Sequence, residues 1–223
     1  MTARLFFQAF FKFFAGLLLV GLLLFLPAGT FRWADGWRFL GVLFVPMFCA
    51  GIVMMVKSPS LLEKRLNARE AEGEQRKVTA FSGIMFLAAF ALAGLNFRFG
   101  WIVMPRWTVW AGTAVFLAAY LMFAEVLREN AYLSRTVEVQ EGQKVISTGL
   151  YGVVRHPMYS STLFLFLSFP FILGSPLSFL VMLGYLPLIS ARMKNEEKVL
   201  AEGLEGYRAY CSRVKYRVIP FLW

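Results

Sequence analysis

Residues 13–26 read Phe-Phe-Ala-Gly-Leu-Leu-Leu-Val-Gly-Leu-Leu-Leu-Phe-Leu, fourteen positions without one polar side chain. A helix needs about 20 predominantly apolar residues to cross a ~30 Å hydrocarbon core. Carried back to residue 5, with only Gln8 and Lys12 interrupting, the run reaches that length. Its uninterrupted part sits at the upper end of what a secretory leader carries, and its Phe-rich flank suits a retained span better than a cleaved signal. The rest of the chain agrees. Of 223 residues, 59% are hydrophobic, 24 are Phe and only 16% are charged, against about 25% charged in an average soluble domain. A soluble fold of this size could not cover so much apolar surface, so the chain reads as an all-α integral membrane protein.

Working outward, six apolar segments stand out: 5–26, 39–56, 78–95, 107–124, 158–174 and 177–191. The first five are long enough to span, some with help from their flanks. The sixth is short and spans only if its helix runs on past Arg192, whose stem can snorkel to the interface. Charge gives an independent test. With the N-terminus on the cytoplasmic side and six crossings, only Arg32, Arg38, Arg98 and Arg106 of the 23 Lys and Arg fall outside. That asymmetry obeys the positive-inside bias, puts both termini in the cytoplasm, and accounts for a net charge of +10 without nucleic acid.

The inner segments differ in character. In 57–77, Ser60 followed by Glu63 predicts a capping box opening a short interfacial helix. Residues 127–157 are polar, with Gly142, Gly149 and Gly152, and read as an irregular loop before the fifth span. Residues 192–213 carry Val199, Leu200, Leu204 and Tyr207 at helical spacing and read as a cytoplasmic helix continuing from span six. Gly174-Ser175-Pro176 is an uncharged turn that predicts a tight hairpin of spans five and six. The chain divides into a four-span region, 1–128, and a second region, 129–223, with the hairpin at 158–191.

Polar groups crowd the inner side of the second region. Backbone that is not helical at membrane depth must be buried in protein or face a cavity, so the loop ahead of Pro157 requires a reason. His156 precedes a proline and should not be helical; Pro157 suits a first helical turn. Arg155 by itself reads as a headgroup anchor. Arg192 and Glu196 share one helix face and by themselves read as a surface ion pair. Cys49, Cys211 and a single His offer no disulfide framework and no metal site. Ionisable groups deep in the spans, which transport would require, are missing apart from Glu125 at the inner end of span four.

The string Gly149-Leu-Tyr-Gly-Val-Val-Arg-His-Pro-Met-Tyr159, followed by Arg192-Met-Lys-Asn-Glu-Glu197 and by Tyr207-Arg-x-Tyr210-x-x-x-Val214, resembles the isoprenylcysteine carboxyl methyltransferase family. Phosphatidylethanolamine methyltransferases and a wider set of bacterial membrane methyltransferases are related. The resemblance covers roughly residue 130 to the C-terminus. It implies S-adenosylmethionine as methyl donor, a lipid-like acceptor, and a prokaryotic cytoplasmic membrane. It further implies that Gln143, Lys144, Val145, Ile146, Tyr151, His156, Pro157, Met158, Tyr159 and Glu196 hold the cofactor, and that Arg192 faces the acceptor.

The residue types suit that chemistry. A carboxylate acceptor needs no general base, only orientation, which one Arg supplies in bidentate fashion. An amine would have to lose a proton first, and a phospholipid amine or a hydrophobic thiol is the alternative acceptor. Two other readings compete. Membrane sterol reductases, which use NADPH, share a similar C-terminal hairpin and a terminal Ile-Pro-Phe like Ile219-Pro220-Phe221. A non-enzymatic membrane assembly or transport protein could keep the same scaffold.

Overall fold

The structure, a computed structural model, describes residues 3–66, 73–133 and 139–223. Among these residues it holds nine α-helices and no strand. They are α1 (Ala3–Ala28), α2 (Ala34–Lys57), α3 (Pro59–Leu66), α4 (Gly73–Phe99), α5 (Arg106–Glu129), α6 (Pro157–Ile172), α7 (Pro176–Met182), α8 (Tyr185–Gly203) and α9 (Tyr207–Arg213). Arg69 and Arg135 of the charge asymmetry, and the middle of the 57–77 segment, lie outside the described residues.

Five helical stretches are long and apolar enough to cross a membrane: Arg4–Ala28, Ala34–Lys57, Val78–Phe99, Arg106–Glu129 and Pro176–Gly203. The chain is thus compatible with a multi-pass membrane protein. The fifth apolar segment departs from expectation: α6 has only 16 residues, or ~24 Å at 1.5 Å per residue. Its apolar run reaches Gly174, but Leu173, Gly174 and Ser175 are consumed by the turn. There Gly174 takes φ 64° and Ser175 caps α7 by accepting from Ser178 N–H at 3.2 Å. The sixth segment does run on past Arg192, to Gly203, with a break between α7 and α8 at Leu183-Gly184.

Two further expectations are corrected. The helix after α2 opens at Pro59 rather than after a Ser60 cap: the Leu62 N–H already bonds the Ser58 carbonyl at 3.2 Å. Proline's fixed φ favours the first helical position, so the start falls two residues early. The helix expected over 192–213 is two pieces, because Leu204 leaves helical geometry and Gly206 adopts φ 80° before α9 begins.

The bundle core is aromatic. Phe39, Phe90 and Phe169 pack with ring centroids 5.0–5.7 Å apart, and Phe116 meets Phe39 edge-on. Glycines let the helices approach. A Cβ on Gly112 of α5 would lie 2.8 Å from Phe171 Cβ, and one on Gly94 of α4 would lie 2.5 Å from the Leu24 carbonyl of α1. Small residues at such crossings are how helices pack where lipid removes the hydrophobic drive. Of the first helix's apolar window only 11% is buried, against 33% in α5. The α1 helix therefore lies at the rim, while among the described residues the α5–α6 pair forms the most extensive helix contact.

Candidate active site

At one end of the bundle the C-terminus of α5, the loop 130–156, the start of α6, the polar half of α8, and α9 close around a cleft of about 850 Å³, counting the space at its mouth. Its walls include Gln143, Lys144, Val145, Ile146, Tyr151, His156, Met158, Tyr159, Arg192 and Glu196. Ten of the eleven residues singled out in the sequence therefore share one hollow. Pro157 does not face it; it is fully buried at the first position of α6 and sets where that helix starts.

The loop is held by local chemistry. Gly149 has φ 49°, and a Cβ there would fall 2.4 Å from a Glu129 carboxylate oxygen. Only glycine fits both demands. The same carboxylate accepts from Thr148 Oγ1 at 2.7 Å and from Leu150 N–H at 3.3 Å, pinning a short 3-10 turn, Gly149–Gly152, to the end of α5. That turn presents Tyr151, whose phenol accepts from Asn130 Nδ2 at 2.9 Å. Burial raises the Tyr151 phenol above its ordinary range, so it stays neutral.

His156 leads into α6 with a non-helical backbone, as expected of a residue before proline. The Arg155 and His156 N–H groups donate to the Tyr216 and Arg217 carbonyls at 2.9 and 2.8 Å. The C-terminal tail thus runs alongside the loop, and Ser160 Oγ fastens it again at the Val218 carbonyl, 2.6 Å away.

Glu197 and Glu196, neighbours on α8, point to different work. Glu197 lies against Arg155 Nη1 at 3.0 Å, His156 Nε2 at 3.2 Å and Arg217 Nη2 at 2.8 Å. A carboxylate can only accept, so the histidine contact puts the proton on Nε2. Burial pushes the Glu197 carboxyl up, but hydrogen bonds from His156 and Arg217 and the charge of Arg155 outweigh it and hold it at about 2. Arg155 is no headgroup anchor: its side chain is 14% exposed and folded inward onto Glu197. Glu196 instead faces the cleft and accepts from the Tyr159 phenol. Arg192 Nε donates to that same phenol at 3.1 Å. One tyrosine thus fixes a cation and a carboxylate side by side on the cleft wall.

The sequence left unassigned Asn130, Tyr132, Leu133, Leu200, Leu204, Tyr207 and Tyr210, all of which line the cleft. The signal available was the Tyr207/Tyr210 spacing, which places both phenols on one face of a helix. Nearby, Arg65 of α3 lies over the Phe123 ring at 5.3 Å and reaches Met158 Sδ at 3.8 Å, bringing the short helix against α5 and α6 beside the cleft. Glu125 pairs with Arg128 at 2.5 Å on the surface, away from any interior path. Among the described residues no cluster of metal-ligating side chains occurs.

Residues 107–205 match the phospholipid methyltransferase family. A delta(14)-sterol reductase of Mus musculus is 31% identical over 91 residues, covering 40% of this chain and 22% of its own. A delta(14)-sterol reductase of Methylotuvimicrobium alcaliphilum is 24% identical over 135 residues, covering 54% of this chain and 32% of its own. This chain therefore spans between about a fifth and a third of the length of these curated relatives.

Proposed function

We propose that this chain, whose residues 107–205 belong to the phospholipid methyltransferase family, transfers a methyl group from S-adenosylmethionine to a lipid-like acceptor in the membrane, an isoprenylcysteine-type carboxylate suiting the site best. The observation that carries the reading is the Arg192–Tyr159–Glu196 cluster on the wall of a cleft built largely within the matching segment. When bound, the cofactor supplies a methyl group already activated on a sulfonium. The chain's own task is then alignment, which can contribute about 7–11 kcal/mol to lowering a barrier.

The donor set fits that cofactor. Glu196 offers a carboxylate to a cationic centre or an ammonium, and Tyr151 and Tyr159 offer aromatic faces of the kind cations favour. Arg192, set beside Glu196 by the shared phenol, turns an anionic acceptor toward the same spot. Its planar fork grips a carboxylate without removing a proton from it. We place the cleft at the cytoplasmic face, because Arg128, Lys144, Arg155, Arg192, Lys194, Lys198, Arg208, Arg213 and Arg217 sit on the elements that form that end. The acceptor enters sideways, between helices.

A second reading has a specific observation behind it: two relatives are named as sterol reductases. Reduction would call for a hydride donor such as a nicotinamide dinucleotide, rich in phosphate. The site favours it less. Glu196 would repel phosphate, and Arg155 is bonded to Glu197, which leaves Arg192 and Lys144 as the cations on the cleft wall to meet it. A ligand that binds only the folded chain must raise its melting temperature. In detergent, S-adenosylmethionine and S-adenosylhomocysteine are expected to raise it and NADPH to leave it unchanged; the reverse pattern would replace this reading with the reductase. Mass spectrometry of lipid extracts incubated with methyl-labelled cofactor then identifies the acceptor, and labelling of a phospholipid amine or a thiol would displace the carboxylate.

A further inference from the structure

Tyr207 and Tyr210 lie three residues apart on α9 with ring centroids 5.8 Å apart, yet their hydroxyls have opposite fates. Tyr210 donates to the Tyr151 carbonyl at 2.7 Å and so ties α9 to the 3-10 turn. The Tyr207 hydroxyl is shut off from solvent and has no hydrogen-bond partner among the described residues, although the residue is only 5% exposed and lines the cleft. A buried phenol without a partner loses its bonds to water and gains nothing in return. Burial also raises its pKa, so it is a neutral O–H donor.

Its surroundings say what kind of group should meet it. Val145, Leu200 and Leu204 pack against the two tyrosines and share the cleft wall with them, making an apolar and aromatic stretch of that wall one helical turn beyond Glu196. A flat, polarisable ring system with acceptor atoms on its edge fits such a slot. The charged parts of a ligand do not.

We propose that Tyr207 is a recognition residue for the adenosyl portion of the ligand, its hydroxyl donating to a base nitrogen or a ribose oxygen while Val145, Leu200 and Leu204 cover the purine. This rests on the methyltransferase reading for the identity of the ligand, but not for the slot, since an adenosyl group is shared by S-adenosyl compounds and NADPH. The cleft is thereby polarised along α8: adenosyl group against α9 and the last turn of α8, reacting end against α6 and the Arg192–Glu196 turn.

Binding to the detergent-solubilised full chain tests this by calorimetry, with melting temperature as the second readout. Tyr207→Phe keeps the ring and removes the unpartnered oxygen. The variant without ligand is expected to melt at or above the wild-type temperature, whereas Tyr210→Phe, which strands the Tyr151 carbonyl, melts lower. Affinity for S-adenosylhomocysteine should fall about tenfold in Tyr207→Phe, as the loss of one well-placed hydrogen bond implies. The affinity for 5′-methylthioadenosine, which has no amino-acid end, should fall by the same factor. A loss confined to S-adenosylhomocysteine would move the hydroxyl to the amino-acid end and overturn the assignment. So would unchanged affinity for every adenosyl ligand the wild type binds. If the wild type binds NADPH and neither S-adenosyl compound, the methyltransferase reading fails alone; a weaker NADPH complex in Tyr207→Phe would then still uphold the slot. A wild type that binds no adenosyl compound ends both.

Discussion

Both ends of the bundle hold a carboxylate gripped by arginines, and they do different things with it. At the end away from the cleft, Asp35 on α2 meets Arg38 one turn on and Arg106 at the start of α5, the latter at 2.7 Å. Arg38 also lies over the Trp110 ring at 4.4 Å, and Asn96 closes the same end by donating to the Ile102 and Gly174 carbonyls at 3.0 and 3.1 Å. The result is a staple between helices. At the cleft end, Glu197 is gripped by Arg155, His156 and Arg217, and this cluster stands behind a hollow wall rather than closing it. An ion pair alone does not mark a site. What sets the cleft end apart is that, one residue from the clamp, Glu196 turns the other way, toward space.

If that contrast is right, the largest effect belongs to Arg192, which stands on the cleft wall beside Glu196. Arg192→Ala is expected to lower methyl transfer at least ~100-fold, since misplacement of a reactant by about an ångström can have that effect. Binding of S-adenosylhomocysteine should largely persist. Arg192→Lys should rescue little, because an ammonium cannot reproduce the bidentate fork. Normal turnover in Arg192→Ala would remove it from the acceptor side.

Glu197 comes next, and its effect should appear in stability before catalysis. Glu197→Gln leaves Arg155 and Arg217 facing a neutral amide; breaking a buried pair typically costs 3–5 kcal/mol. Arg217 is 35% exposed, so about 2–3 kcal/mol is expected here, read as a lower melting temperature. The pH dependence follows with a definite sign. A carboxyl held at about 2 in the folded chain, below its ordinary 4.5, lends stability that is fully present above pH ~4.5. That stability is lost as pH falls toward 2. Melting temperature in wild type should include a downward slope below pH ~4.5 that Glu197→Gln lacks; an equal slope in both would mean that Glu197 is not the clamp.

Glu196→Gln should do the reverse: little change in melting temperature without ligand, and about tenfold weaker binding of S-adenosylhomocysteine. A hydrogen bond to a charged group contributes about 1.5–3 kcal/mol, and the lower figure applies because the amide can still accept from Tyr159. Equal affinities in the two proteins would mean that this carboxylate serves the fold, like its neighbour.

Much of this is legible in the sequence, and the boundary is physical. Apolar runs, the Gly174-Ser175-Pro176 turn and the Pro157 start are local signals, and each fell within a few residues of where the backbone put it. Arg192 and Glu196 were legible as a pair because four residues bring two side chains onto one helix face. Contacts set by the fold were not. Glu129 meets Gly149 across twenty positions, and the tail carbonyls of Tyr216 and Arg217 meet residues 155 and 156 across about sixty. The break at Leu204–Gly206 was hidden because Leu204 and Tyr207 keep helical spacing across it. Tyr207 could be seen as part of a motif, but its unpartnered hydroxyl is a fact about neighbours. Arg155 was misread because a lone arginine near a span end looks the same whether it faces headgroups or folds back onto Glu197.

The smallest effect tests the other end of the comparison. Asp35→Asn removes one charge from a staple whose partner Arg106 is 62% exposed, and exposed pairs contribute only about 0–1 kcal/mol. Arg38 keeps its contact with the Trp110 face, and Asn96 still joins the loop at Ile102 to the turn at Gly174. The melting temperature should therefore fall by no more than a few degrees, with no dependence on ligand and no change in methyl transfer. Because the staple and the cleft lie at opposite ends of the same helices, Asp35→Asn and Glu197→Gln should add in their effect on stability, as distant sites without shared partners do. A double variant less stable than that sum would mean that α5 couples the two ends, and the staple would then belong to the site's architecture after all.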